Sequence, residues 1–563
     1  MKKIEEILFK NWGYKKFKPN QKKIINSIIK GKNTLAVLPT GGGKSLCYQL
    51  PSLIIEGITL VISPLIALME DQVLFLKKIG IPSFYFKPDS INQNINQQLD
   101  NCINGNYKVI YCSPERLNNI NFLNKISKSN IKHIAIDEAH CISEWGYDFR
   151  PSYRKINQLI DLMTEIRISA YTGSASKRII NDIINNLNLK DLKIIKSSFE
   201  RKNISQKVLI FNNKTEGLLK LVKNESSIVY CNSRKSSIIL SKKLNSMGYS
   251  TDYFHGGIST KEKKQKLLKW HSEEIKTIIA TTAFGMGIDK LNVKKVIHFD
   301  LPKSFESYYQ ESGRAGRDGN KADSIILTND LDKKMFIKKF NDELPDKINL
   351  RYVYKNLCNY LQISLGEGMN NYYSFGLNKF CEKYNTNKKM TLNVLYFLEN
   401  HELISLNHQN NAIIKICWNK ENEKSLLKKI SIKSNVIDVI FNEYPNVFKE
   451  KIEISLYKLT KITKFNSNEI IKDLELLKKM KIIDLETIYN YIKILWLKPR
   501  EDNYTIDPLI KTLNETNRIK KNKFKKLLKF IYDDEKCKSI QMMSYFGEDI
   551  KENCKNCSSI CCK

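Results

Sequence analysis

The chain has 563 residues, with 93 Lys and Arg against 59 Asp and Glu, a formal net charge of +34, and 42% hydrophobic residues. That length leaves room for roughly three to five domains of about 100–200 residues, and the basic balance favours a polyanionic partner. No apolar run reaches the roughly 18 residues of a transmembrane helix, and the opening MKKIEEILFKNWGY carries acids inside its apolar stretch, which excludes a signal peptide, so a cytosolic protein with no membrane partner is expected.

The first elements read as buried strands: TLAVLP (34–39), ITLVIS (58–63), YKVIYC (107–112), IKHIAID (131–137) and RISAYTG (167–173). Segments with helical periodicity separate them, and a βαβ rhythm of this kind implies a parallel, doubly wound sheet. The rhythm resumes with SSIVYCN (226–232), STDYFHG (250–256), TIIATT (277–282) and KKVIHFD (294–300), so two α/β domains are expected, joined near SSFERKN (197–203). From about 346 the chain turns helical with short strands. LNVLYFLENHELISL (392–406) reads as a helix followed by a strand, the ending of a winged helix, and NEIIKDLELLKKMKIIDL (468–485) repeats it. Such modules dock on DNA, or on other proteins. The expected domains are therefore 1–197, 198–345, a winged-helix-like region over 346–530, and a cysteine-bearing module over 531–563.

The chemistry begins at LPTGGGKS (38–45). A P-loop needs a strand end, a tight turn of backbone N–H groups and a helix N-terminus facing phosphates. Leu38 stands where the usual pattern has its first glycine, yet Thr40, Gly41, Gly42 and Gly43 supply the turn between a strand and a helix. Lys44 is placed to reach the β- and γ-phosphates of ATP and Ser45 to hold Mg²⁺. IAIDEAH (134–140) ends another strand of the same sheet in two carboxylates. Asp137 is expected on Mg²⁺, and Glu138 as the general base that polarises water. Both motifs fall at carboxyl ends of strands, where such sheets bind ligands.

With LPTGGGKS and DEAH in place, the chain resembles the superfamily-two helicases, and more narrowly the RecQ DNA helicases. WGYKKFKPNQ (12–21) is similar to that family's base-reading motif, with Lys18 where an arginine is usual and Gln21 kept to read adenine. VISPLIALMEDQV (61–73) resembles its first DNA-contacting motif. CISEWGYDFRPSYR (141–154) resembles its aromatic-rich loop, which senses single strands and couples them to hydrolysis. The resemblance implies that His140, Trp145, Phe149 and Arg150 act there, the aromatics stacking on bases and Arg150 meeting phosphate or the ATP-side acids. Glu144 and Tyr147 depart from the family's Gln and His. Thr172-Gly173-Ser174-Ala175 stands for its T-A-T-A motif and keeps hydroxyls at 172 and 174. TTAFGMGIDK (281–290), which places Asp289 on the nucleotide side, and YYQESGRAGRDG (308–319) match its fifth and sixth motifs. Arg314 and Arg317 are three apart, on one face if helical, and are expected to meet the γ-phosphate from the second domain.

Five of the thirteen cysteines fall at Cys537, Cys554, Cys557, Cys561 and Cys562, and in a cytosolic chain such clustering points to metal. Four thiolates suit tetrahedral Zn²⁺, and CKSIQMMSYFGED (537–549) resembles the RecQ zinc module. Ile560 occupies the position where the family has its fourth cysteine, so Cys561 or Cys562 must reach in, and Cys561 is the expected ligand. In the family this module follows the helicase core directly; here the winged-helix-like region intervenes. The resemblance implies an ATP- and Mg²⁺-dependent helicase, with structural Zn²⁺, that moves 3′ to 5′ on single-stranded DNA, unwinds duplexes in recombination and repair, and works as a monomer. An RNA helicase and a non-catalytic nucleic-acid scaffold are the alternatives; Lys44, Glu138 and Arg317 are all present, against the scaffold.

Overall fold

The structure, a computed structural model, describes residues 2–86, 97–102, 107–143, 149–163, 165–222, 225–285, 290–408, 413–419, 435–463, 465–480, 482–488 and 491–562. Trp145 and Asp289, with the departures Glu144 and Tyr147, lie outside them. The chain forms two compact units, Met1–Lys334 with Lys521–Lys563, and Met335–Lys520.

The first unit holds two all-parallel sheets. Strands β1 (Thr34–Val37), β2 (Ile58–Ile62), β3 (Ser83–Tyr85), β4 (Val109–Cys112), β5 (Ile131–Ile136), β6 (Arg167–Thr172) and β7 (Lys193–Lys196) take the order β3-β4-β2-β5-β6-β1-β7. β1, β2 and β4 are buried along their whole length. Helices cover both faces of such a sheet, so its central strands read as continuous apolar runs. β5, β6 and β1 are neighbours, with Ala135 opposite Ser169 and Val37 opposite Thr172. Their carboxyl ends therefore gather the DEAH turn, the Thr172–Ser174 turn and the P-loop at one place.

The second lobe has β8 (Ile204–Ile210), β9 (Ser227–Tyr230), β10 (Thr251–Phe254), β11 (Thr277–Ala280), β12 (Lys295–His298) and β13 (Ala322–Thr328), ordered β10-β11-β9-β12-β13-β8. Four strands of the first unit escape the sequence reading. β3 is three residues long, β7 is an edge strand of sequence KIIK, and β8 and β13 carry polar residues among their apolar ones.

The chain's last segment returns to this lobe. Phe546 stacks on Phe199 with ring centroids 4.7 Å apart and packs on Tyr309 at 4.9 Å, while Phe305 stacks on Tyr545 at 4.4 Å. The buried Glu306 carboxylate accepts from Lys523 Nζ at 2.6 Å and from the Tyr545 hydroxyl at 2.6 Å. Ser558 exchanges hydrogen bonds with β8, from Val208 N and to Gln206 O. The cysteine module thus belongs to the same compact unit as the two lobes, although 335–520 separates them in sequence.

The second unit nests one helix-and-sheet module inside another. The outer module has helices Lys347–Tyr360, Leu377–Lys383 and Lys388–Asn400 with strands β14 (Tyr372–Gly376) and β15 (Ile404–His408). The inner one follows with β16 (Ile413–Trp418), helix Asn435–Glu443, β17 (Ile452–Ser455), helices Leu456–Thr463 and Ser467–Lys479, and β18 (Ile483–Ile488). β19 (Tyr491–Trp496) then completes the outer sheet, ordered β14-β19-β15, while the inner sheet is β17-β16-β18. Both expected helix–strand endings are present. Their partners are not sequential neighbours: Ile404 opposes Trp496, and Ile413 opposes Ile488. The inner module therefore grows from the tip of the outer module's wing. Each has its own core, around Leu357, Phe380, Leu398 and Trp496 in one and Ile416, Ile440, Ile470 and Leu485 in the other.

Candidate active site

The P-loop leaves β1 at Leu38, whose N–H donates to Thr172 O on the neighbouring strand at 3.1 Å. Gly42 N donates to Pro39 O at 2.9 Å, closing a turn. Gly41 and Gly43 flank it at φ 77° and 72°, where a Cβ is disfavoured. Gly43 caps the helix Lys44–Ser52, whose first two residues are Lys44 and Ser45. Lys18 and Gln21 brace this loop. Lys18 Nζ donates to Gly41 O at 2.8 Å, and Gln21 Nε2 to Gly43 O at 3.1 Å, while Gln21 Oε1 accepts from Lys18 N at 2.8 Å. The structure therefore places Gln21 against the loop backbone.

Asp137 and Glu138 follow β5, and Glu138 takes φ 47°, which turns its side chain back to the P-loop. Lys44 Nζ lies 3.3 Å from Glu138 Oε1, and His140 Nδ1 lies 3.3 Å from Glu138 Oε2. Burial opposes ionisation of Glu138, but Lys44, His140 and Arg314 outweigh it and hold the carboxyl below its ordinary value. Burial and the Glu138 charge push Asp137 up to about 6. Asp137 also accepts from Ser63 Oγ at 3.4 Å. His140 Nδ1 is 3.1 Å from Thr172 Oγ1, which accepts from Ser174 N at 3.4 Å. Ser174 Oγ accepts from Gln310 Nε2 of the second lobe at 3.4 Å. One polar chain thus joins the carboxylates to the other lobe. Gly173, where the family has alanine, sits beside the lysine: a Cβ there would come within 3.0 Å of Lys44 Nζ.

Arg314 and Arg317 do not share a helical face. The helix Phe305–Ser312 ends at Gly313, and Gly316 takes φ 55°, so both arginines leave a turn. They still reach the cleft. A Cβ built on Gly41 would lie 3.8 Å from the Arg317 side chain, and one on Gly313 would lie 3.2 Å from Thr40 Cβ. Arg314 is buried, and its charge helps hold Glu138 ionised. Sequence reasoning missed Arg201, which lies on the connector between the lobes. Its guanidinium donates to Thr40 O and Gly313 O, both at 3.3 Å, to Ala315 O at 3.2 Å and to Gly316 O at 3.0 Å. All four acceptors are backbone carbonyls, so no side-chain pattern announced it.

Phe149 and Arg150 have partners other than the two carboxylates. Arg154 lies over the Phe149 ring at 5.2 Å, and Arg150 Nη1 donates to Pro64 O at 3.1 Å and meets Glu115 Oε1 at 3.4 Å. Among the described residues, Thr40 Oγ1 and Arg314 Nε are buried without a hydrogen-bond partner at the seam of the lobes. A donor and an acceptor of this kind, beside Lys44 and a carboxylate pair, suit a triphosphate and its divalent cation.

At the C-terminal end the Sγ atoms of Cys537, Cys554, Cys557 and Cys562 all lie within 4.8 Å of one another. This corrects the expected fourth ligand. Cys561 is exposed and outside the group, because the 3₁₀ turn Ile560–Cys562 aims Cys562 inward instead. Burial opposes ionisation of Cys557, but hydrogen bonds from Ser559 and from Lys538 N bring its thiol down to about 6. Four sulfurs at this spacing fit a tetrahedral zinc.

Two parallel-sheet lobes with a P-loop and carboxylate pair on one and a double-arginine turn on the other define a nucleotide-binding protein of the P-loop class. In comparison with known proteins, the DEAD/DEAH box helicase family model matches residues 18–183, the helicase conserved C-terminal domain 201–319, and RecQ zinc-binding 500–562. The chain belongs to the RecQ family of helicases. It is 38% identical to ATP-dependent DNA helicase RecQ of Bacillus subtilis over 62% of this chain and 60% of that one. It is 40% identical to the probable ATP-dependent DNA helicase RecS of the same organism, over 58% of this chain and 67% of that one. The chain thus spans about three-fifths of the length of the RecQ protein it matches. Among solved structures, S. cerevisiae Dbp5 bound to RNA and ADP BeF3 superposes with a TM-score of 0.50 at 18% identity, covering 59% of this chain and 90% of that one, a likeness of fold alone. The cysteine segment is accordingly a structural zinc module.

Proposed function

We propose that this chain is an ATP-dependent DNA helicase that moves 3′ to 5′ along single-stranded DNA and separates duplexes in recombination and repair, as a cytosolic monomer. The observation that carries the reading is the meeting of two lobes at one site: Lys44 faces Glu138 across 3.3 Å while Arg317 of the other lobe lies along Gly41. Lys44 and the loop N–H groups bind the β- and γ-phosphates. Glu138, held ionised, takes the proton of the attacking water. Arg314 and Arg317 neutralise charge that develops on the transferred group, a role worth roughly 10³–10⁵ in rate. Ser45 and Asp137 would hold Mg²⁺, which supplies charge neutralisation on the phosphates. Hydrolysis removes the anion that holds the lobes together, so closure and reopening convert one bond cleavage into a step along the strand.

Phe149 and Arg150, together with Trp145, are proposed to meet the single strand, and the His140–Thr172–Ser174–Gln310 chain to carry that signal to the carboxylates. Cys537, Cys554, Cys557 and Cys562 are proposed as the zinc ligands, and the outer winged-helix-like module as the duplex contact. The +34 charge supports a nucleic-acid partner. Among the described residues no helix is long and apolar enough to cross a membrane.

The test is ATP hydrolysis with and without single-stranded DNA, beside Glu138→Gln, and unwinding of duplexes with a 3′ or a 5′ overhang. Stimulation by DNA that Glu138→Gln abolishes, with unwinding only from the 3′ overhang, is expected. Stimulation by RNA alone would overturn the DNA reading.

A further inference from the structure

Arg201 stands on the connector between β7 and β8, where neither the nucleotide chemistry nor the zinc module needs a cation. Its place is nevertheless fixed from several sides. Phe199 is buried against Phe546 and Tyr309, and its carbonyl accepts from the Tyr309 hydroxyl at 3.0 Å. Glu548 accepts from Ser198 Oγ at 2.7 Å and Phe199 N at 2.9 Å. Two residues past Arg201, Asn203 Nδ2 donates to Gly316 O and Asn320 O, both at 2.8 Å. The connector is therefore fastened to the arginine-bearing turn of the second lobe.

From there the guanidinium reaches both lobes. Nη2 and one bond of Nη1 hold Ala315, Gly316 and Gly313, the backbone that carries Arg314 and Arg317. The other bond of Nη1 takes the carbonyl of Thr40, the residue that enters the glycine turn of the P-loop. A planar fork of fixed N–H directions is suited to hold several carbonyls in one geometry. Three of its four bonds travel with the second lobe, so the Thr40 bond is the one that depends on closure. Gly313 lies so close to Thr40 that a Cβ would crowd it, and Arg317 runs along Gly41.

We propose that Arg201 is a positioning residue for ATP hydrolysis: it pins the arginine turn to the P-loop carbonyl, and so sets where Arg314 and Arg317 arrive when the lobes close. Its guanidinium is committed to four backbone carbonyls rather than to the nucleotide. The inference rests on the proposed helicase activity for its kinetic consequence, but its geometric content does not. A shift of about 1 Å in a group that meets the transition state can lower turnover by roughly 10²-fold.

The experiment compares the full chain with Arg201→Gln and Arg201→Lys by two readouts. The first is amide exchange in the nucleotide-free protein over the P-loop and the 313–317 turn. Faster exchange at both segments in Arg201→Gln, with an unchanged melting temperature, is expected; unchanged exchange overturns the proposal. The second is steady-state hydrolysis with single-stranded DNA. A kcat reduced about 10²-fold with KM for ATP within about threefold is expected, and Arg201→Lys, which keeps the charge but not the fork, should fall between. A raised KM with kcat intact would overturn the proposal by making Arg201 a nucleotide contact. Faster exchange in Arg201→Gln, beside a wild type whose hydrolysis ignores DNA, would support the pin and remove the helicase reading instead.

Discussion

Lys44 Nζ and Glu138 Oε1 stand 3.3 Å apart at the ends of two strands separated in the sheet by a third, so each is the other's counter-charge across the mouth of the first lobe. Neither is exposed, and the ammonium is the largest of the influences that offset the cost of burying the carboxylate. Removing it acts twice, on the phosphates and on the base.

Lys44→Ala should therefore lower ATP hydrolysis by at least about 10²–10³-fold. Binding of single-stranded DNA should stay near the wild-type value, because the proposed strand contacts lie elsewhere. Radiometric turnover beside fluorescence anisotropy checks both, and turnover persisting in the variant would sink the P-loop assignment.

The proposed zinc site distinguishes two neighbouring cysteines. Cys562→Ser should release the metal and loosen the module, whereas Cys561→Ser should keep about one zinc per chain. Elemental analysis of the two purified variants decides, and the reverse result would restore Cys561 as the ligand.

His133 gives the first lobe an acid limit. It is fully buried between Thr59 Oγ1 at 3.2 Å and Ser169 Oγ at 2.6 Å, and burial, with the charge of Arg167, pushes it down to about 3 from 6.5. Between those values the unfolded chain binds a proton that the folded chain refuses. Stability is then fully present above pH 6.5 and is lost as pH falls toward 3, by up to about 1.4 kcal/mol per pH unit. Urea midpoints measured at several pH values, with His133→Gln as the flattened control, should show that slope; equal slopes would remove His133 as the cause.

Phe546 is one of the contacts that dock the zinc module, stacked on Phe199 of the connector and packed on Tyr309 of the second lobe. Phe546→Ala should cost about 3–5 kcal/mol of stability while the four cysteines still bind metal. Thermal melting and zinc content measured together test this, and a loss of zinc would show that docking and metal binding are one event.

What could be read from the letters alone was the chemistry packed into short contiguous runs. Thr40–Ser45 and Asp137–His140 announce themselves because one turn of backbone supplies each function, and the missing glycine at Leu38 does not disturb the turn. The arginines were legible as candidates but their backbone was not, since the positive φ of Gly316 ends what periodicity would extend. Arg201 was illegible because its partners are carbonyls, which every residue has. The choice between Cys561 and Cys562 hangs on a single turn of backbone. The helix–strand endings near 400 and 480 were legible, while their pairing was not, because local periodicity carries no information on which distant strand lies alongside.

That pairing has a consequence for how the chain is made. β19 is the middle strand of the outer sheet, and β14 and β15 each pair with it. It is synthesised after every element of the inner module. On the ribosome the inner module can complete its own sheet and core first, while two older strands wait with an open gap between them. The youngest strand of this unit is thus its keystone, and a chain halted near residue 490 would carry a finished inner module on an unclosed outer one.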